Sequence, residues 1–174
     1  MGAPQTISQD SLYADVAAQF GAALDRLASA YEADPDRRRD LLQDIHLQLW
    51  LSFERFDGRC SLRTWVYRVG HNVCASHVLK ERRVFGALVG LEEMEQMPDK
   101  SAREGESRDL DRLAALIQQL KPLDRQVIVS YLEDLGAADI GEITGLSPAN
   151  VSMRVHRIKR LLASRFQGES SNAN

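Results

Sequence analysis

Between Ser147 and Phe166 the chain places Arg154, Arg157, Lys159, Arg160 and Arg165 without one Asp or Glu. Cationic groups at this density pair with phosphates, while Arg, Asn, Ser and His side chains among them can hydrogen-bond base edges. Ser147 suits an N-cap and Pro148 the first helical position, so a helix should start there. Val151, Val155, Ile158 and Leu162 recur at helical spacing as one apolar stripe. Asn150, Arg154 and Arg157 form a second stripe, and Ser152, His156 and Lys159 a third, both expected to face outward. A helix that is apolar behind and cationic in front is suited to lie against nucleic acid.

A second concentration lies between Arg55 and Arg83. The loop Arg55-Phe56-Asp57-Gly58-Arg59 precedes a stretch holding Arg63, Arg68, Lys80, Arg82 and Arg83 against Glu81 alone. Trp65, Arg68 and Asn72 fall at i, i+3 and i+7 and share one helical face. Arginines hold phosphates, an amide can pair with a base edge, and an exposed aromatic ring offers a platform for an unstacked base. Phe56, Trp65 and Tyr67 equally suit a packed core, and spacing alone leaves both readings open.

The elements that must position these groups are helical throughout. Leu123–Leu135 reads as a helix, followed by Gly136, a short helix Ala137–Thr144, a closing Gly145 and then the cationic helix. Short helix, Gly-containing turn and longer basic helix is the order of a helix-turn-helix, whose second helix enters the major groove. Gly141 stands mid-helix, where it costs about 1 kcal/mol relative to Ala. Upstream, Leu12 to Tyr31 marks one helix ending near Asp34-Pro35, and Leu41 to Phe53 a second, stopped by Asp57-Gly58. Ser61 should cap a third helix running to about Arg83, and Asp109–Leu120 forms a fourth.

The expected architecture is all-α: two small helical domains joined by a flexible acidic linker. The first spans residues 8–85, the linker 86–106, the second 107–167, and a disordered tail 168–174. A tether of about 20 residues has a typical span of roughly 25 Å and a limit near ~70 Å.

Bulk properties narrow the function classes. A net charge of −3 over 174 residues excludes a generic polycation, so the basic segments are local. Acid gathers in Glu92–Asp111 instead. The start lacks the basic and apolar segments of a signal peptide, and no apolar run reaches membrane-spanning length. Two cysteines suggest a reducing, cytoplasmic setting rather than a disulfide scaffold. His71, Cys74 and His77 form H-x-x-C-x-x-H, but positions six apart on a helix are about 120° out of line, so no metal or other cofactor is expected. No catalytic order of Ser, His and Asp, phosphate-binding Gly loop or paired-carboxylate cluster appears, so no enzyme is expected.

Two blocks carry a family resemblance. Asp40-Leu-Leu-Gln-Asp44, Leu47–Trp50 and Ser61-Leu-Arg-Thr-Trp-Val-Tyr-Arg-Val-Gly-His-Asn72 resemble region two of the extracytoplasmic-function sigma factors of bacterial RNA polymerase. Leu120-Lys-Pro-Leu-Asp-Arg125, Tyr131–Leu135 and Ile140-Gly-Glu-Ile143 through Arg160 resemble their region four. The match covers roughly residues 12–166, with both blocks in order around a variable segment.

The resemblance implies a division of labour. Asp40, Gln43, Asp44, Gln48 and Trp50 would dock on the clamp of the largest polymerase subunit. Arg55, Phe56, Asp57, Arg59, Arg63, Trp65, Arg68, Asn72, Lys80, Arg82 and Arg83 would recognise the −10 element and the melted strand. Ser147, Asn150, Ser152, Arg154, His156, Arg157, Lys159 and Arg160 would read the −35 element, with the domain bound to the flap of the second-largest subunit. Promoter DNA and core RNA polymerase are the implied partners, with an anti-sigma factor as a further one. The chain departs from the family pattern in its Arg37-Arg38-Arg39 run and in Gly70-His71. A stand-alone helix-turn-helix regulator, and a sigma-like interaction protein that does not melt promoters, are the alternative readings.

Overall fold

Ser8 accepts a hydrogen bond from the Ser11 N–H and so starts a chain in which every described element is helical. The computed structural model describes residues 8–88 and 106–171. The helices are α1 (Gln9–Tyr31), α2 (Pro35–Ser52) with a 3₁₀ turn Phe53–Arg55, α3 (Leu62–Leu88), α4 (Glu106–Gln118), α5 (Pro122–Leu132), α6 (Ala137–Thr144) and α7 (Pro148–Ser171). They form two compact units, Met1–Cys74 and Ala75–Asn174.

The first unit is organised by α1 and α2. Asp34 caps α2 by accepting from the N–H groups of Asp36 and Arg37, and Pro35 occupies the first turn. Val16, Phe20, Leu24 and Leu27 of α1 are buried, as are Leu41, Ile45 and Leu49 of α2, in register with their helical spacing. From α3 the core takes Val66, Tyr67, Cys74 and a buried histidine, His71, whose Nδ1 shares a 2.9 Å hydrogen bond with the Tyr31 hydroxyl. The Gly70-His71 pair is therefore part of the interior.

The second unit closes around α7. Val151, Val155, Ile158 and Leu162 are all buried, as their stripe predicts, together with Leu116, Val127, Ile128 and Ile140. Buried Arg125 of α5 donates through Nη2 to the carbonyls of Gln118 and Leu120 and so satisfies the end of α4, where the helix dipole also favours a cation. Arg112 lies 4.4 Å over the Phe166 ring and donates to the Phe166 carbonyl, tying α4 to α7.

Several boundaries differ from the sequence expectation. No residue from Ala75 to Arg83 is buried, yet α3 continues to Leu88, past the expected domain end at 85. Helical propensity without an intervening proline carries it on, while the packed core ends at Cys74. The linker expected at 86–106 falls mostly on residues 89–105, which lie outside the described residues. α7 reaches Ser171, into the tail expected to be disordered from 168, because Gly168 alone is too mild a breaker. α5 stops at Leu132 rather than Leu135. Asp134 adopts φ 58°, and the Leu135 N–H reaches back to the Ser130 carbonyl, closing the helix in a Schellman-like turn.

The turn between α6 and α7 explains Gly141. A Cβ there would lie 2.6 Å from the Leu146 carbonyl oxygen, so the tight return of the chain requires glycine. Gly145 ends α6 at φ 77°, the left-handed conformation glycine adopts without steric cost.

Two predictions follow from these interiors. Gly141→Ala should lower the stability of the second unit by about 1–2 kcal/mol, steric displacement outweighing the gain in helix propensity; unchanged amide-exchange protection in α6 and α7 would contradict this. Burial pushes the His71 imidazole from 6.5 down to about 3. Below pH 6.5 the unfolded chain therefore binds a proton that the folded one refuses, and stability falls with pH by about 1.4 kcal/mol per unit. His46, half-buried against the Tyr13 hydroxyl, is shifted in the same direction by desolvation. Urea titrations at pH 7 and 5 should show the decline in the native chain and a shallower one in His71→Leu.

Candidate nucleic-acid interface

α7 presents its polar stripes as the sequence requires, with one difference. Ser147 caps the helix, its Oγ accepting from the Asn150 N–H at 3.3 Å. Asn150, Ser152, His156, Arg157, Lys159 and Arg160 are exposed. Arg154, expected to face outward with them, is half-buried at 33% side-chain exposure. Asp124, in the first turn of α5, draws it in: Arg154 Nη1 donates to Asp124 Oδ1 at 2.7 Å. Arg157 Nη2 donates to both oxygens of the same carboxylate, at 3.1 and 3.0 Å. Lys159 Nζ donates to the Tyr131 hydroxyl at 3.4 Å and sits 5.3 Å above that ring. Ser152 Oγ donates to the Pro148 carbonyl of its own helix.

Asn150, Met153, Arg154 and Arg157 line a shallow hollow on this face. Met153 and Asp124 were absent from the sequence-derived set. Met153 is 68% exposed and falls at i+3 from Asn150, so helical spacing alone was enough to find it. Asp124 lies on another helix, and no local pattern points to it.

In the first unit the loop before α3 and the start of α3 come together. Phe56 and Trp65 pack edge-on, with ring centroids 5.4 Å apart, and both are half-buried. The Trp65 indole Nε1 donates to Ser52 Oγ at 3.0 Å, and Ser52 Oγ donates to the Leu49 carbonyl. The pair is thus neither sealed in the core nor loose on the surface. Asn72, Arg63 and Arg55 are exposed, and Arg68 is half-buried. Asp57 pairs with Arg59, accepting from its N–H at 3.1 Å and from its Nε at 3.0 Å, which closes the loop locally. Tyr67, by contrast, is core. Lys80, Arg82 and Arg83 are exposed on α3 beyond the residues of the first unit.

A different surface runs along α2. Asp40, Gln43, Asp44 and Gln48 are exposed, and so are Leu47 (54%), Trp50 (36%) and Leu51 (44%). Positions 40, 44, 47 and 51 recur at helical spacing, so acid and apolar groups share one outward face. The Trp50 indole donates to Asp10 at 2.9 Å, tethering it to α1. Arg37 pairs with buried Glu32 and Arg38 donates to Ser29, so two of the three consecutive cations turn toward the end of α1.

His71, Cys74 and His77 do not converge: the first two are buried in the core, and among the described residues no group of three or more His, Cys, Asp or Glu comes together. Among those residues no helix is long and apolar enough to cross a membrane.

Two family models match the chain in order, Sigma-70 region 2 over residues 17–84 and Sigma-70 region 4 over residues 110–162. The chain is 29% identical over 150 residues to the ECF RNA polymerase sigma factor SigG of Mycobacterium tuberculosis, covering 71% of this chain and 40% of that relative. It therefore spans well under half the length of SigG. It is 24% identical over 172 residues to the RNA polymerase sigma factor CnrH of Cupriavidus metallidurans, covering 91% and 88% of the two chains. Its fold is similar to that of CnrH solved with the cytosolic domain of CnrY, with a TM-score of 0.67, 21% identity and coverage of 92% and 90%. It is also similar to the sigma factor RpoE solved with the anti-sigma factor NepR from Bartonella quintana, with a TM-score of 0.70, 18% identity and coverage of 96% and 100%. With both region models matched in sequence, one on the loop and helix that carry Trp65 and Asn72 and the other on the helix-turn-helix, the chain belongs to the sigma-70 family, in its extracytoplasmic-function group.

Proposed function

We propose that this protein is a promoter-specificity subunit of RNA polymerase. In this reading it binds the core enzyme in the cytoplasm, recognises two promoter elements and promotes strand opening. The observation that carries it is the half-buried Phe56–Trp65 pair beside Arg68 and exposed Asn72. A regulator that reads duplex DNA alone has no use for an aromatic platform followed on the same helical face by an exposed amide, whereas a protein that captures an unstacked base does. Arg55, Asp57, Arg59, Arg63, Lys80, Arg82 and Arg83 would steer the strand through phosphate contacts.

α7 takes the role of duplex reader. Asn150, Arg154, Arg157 and Met153 face the groove in this reading, with Ser147, Ser152, His156, Lys159 and Arg160 toward its walls. Asp40, Gln43, Asp44, Gln48 and Trp50 dock on the polymerase clamp, and Leu47 and Leu51 supply apolar area at the centre of that face. The second unit would engage the flap of the second-largest subunit. The protein acts by binding alone. Extruding a base costs a few kcal/mol, which stacking and edge hydrogen bonds can offset. Each small unit is a weak binder, and polymerase makes them effective by presenting both at once. The complexes of CnrH with CnrY and of RpoE with NepR support an anti-sigma partner for this chain as well.

Run-off transcription with purified core polymerase on a promoter library should give discrete starts when the protein is added; no core association and no starts would remove this reading. Asn72→Ala should leave binding to the upstream duplex unchanged yet lower permanganate reactivity of the opened strand about tenfold, the value of one lost base contact. Equal losses at both steps would move Asn72 out of the strand-capture site.

A further inference from the structure

The carboxylate of Asp124 faces two of the groups expected to meet DNA. It belongs to α5, its side chain is 13% exposed, and it engages one nitrogen each of Arg154 and Arg157, at 2.7 to 3.1 Å. We propose that Asp124 is a specificity-determining positioning residue: it sets the two guanidiniums for base readout and removes one unit of positive charge from the face that random DNA would grip. This deepens the promoter-reading role assigned to α7 and rests on it.

Three features support the assignment. Arg154 and Arg157 are three residues apart on α7, so their like charges repel and, without an intervening anion, would splay toward solvent. One carboxylate between them converges the pair, and its place in the first turn of α5 stabilises the anion through the helix dipole. A guanidinium has five N–H donors, and Asp124 occupies one nitrogen of each. Both arginines line the hollow together with Asn150 and Met153, and each keeps further N–H donors beyond the nitrogen that Asp124 engages.

The two consequences act in the same direction. Base readout by arginine requires a planar fork at a fixed angle, so a side chain already held loses less freedom on binding. Phosphate binding requires only positive charge, and its strength follows the number of cations delivered. The triad of two guanidiniums and one carboxylate carries a net charge of +1 rather than +2. Asp124 therefore disfavours random duplex while leaving the geometry for the cognate sequence in place. Its neighbours are consistent with such a role, since Lys159 is likewise held, by Tyr131 of α5, leaving α5 to arrange three of the cations of α7.

The test uses holoenzyme assembled from the full chain and core polymerase. One probe is the duplex set that the native holoenzyme enriches from a pool randomised over the upstream element; the other is an unselected duplex of equal length. Asp124→Asn, nearly isosteric, should bind the unselected duplex about three- to tenfold more tightly at low salt and steepen its log–log salt slope by about one. The ratio of cognate to random affinity should fall about tenfold. Asp124→Glu keeps the charge and should retain the native slope. Circular dichroism and melting verify that both variants fold. An unchanged slope and ratio in folded Asp124→Asn overturns the proposal, as does equal weakening on both probes, which would make Asp124 a brace between α5 and α7. If the native holoenzyme enriches no duplex at all, the promoter-reading function fails, and this proposal with it. Enrichment by the native chain that Asp124→Asn matches removes the Asp124 proposal alone.

Discussion

Burial of the Val151, Val155, Ile158 and Leu162 stripe fixes the rotation of α7 about its axis. A helix of fixed rotation has no choice about which side chains it shows, so the polar groups of α7 face outward because its branched aliphatics face inward. The same constraint sets the turn before it. α6 must return closely enough for the Leu146 carbonyl to occupy the space of a Cβ on Gly141. Arg125 secures the other side by satisfying the exposed end of α4 from inside the core. The cationic surface of α7 is thus the reverse side of a packing solution.

Much of this was legible in the sequence because it depends on local periodicity. The apolar stripe of α7, the helix-turn-helix order and the outward positions of Asn150, Arg157 and Lys159 come from spacings of three and four. What escaped depends on contacts between distant segments. Asp124 is thirty and more positions from the arginines it engages, and the burial of His71 depends on Tyr31, forty positions away. Helix ends were read less well than helix centres. α5 stopped early because Asp134 took a left-handed conformation, and α3 and α7 ran on because nothing in their sequences halts a helix.

The aromatic site shows why composition and spacing left two readings open. Tyr67 is fully interior, whereas Phe56 and Trp65, of similar chemistry and close in sequence, stop halfway. The difference lies in what each side chain meets. Tyr67 is buried with its ring beside that of buried His71, while the Trp65 indole meets a polar group, the Ser52 hydroxyl, which it satisfies at the periphery.

Ser52 joins the end of α2 to the start of α3. Its oxygen accepts a hydrogen bond from the Trp65 indole and donates one to the carbonyl of Leu49, in the same helical turn as the exposed Trp50 and Leu51. Under the proposed function, a partner docked on the last turn of α2 would bear on the tryptophan, and a base stacked on that ring would bear on the last turn in return. One hydroxyl thus ties the Trp65 ring to the last turn of α2.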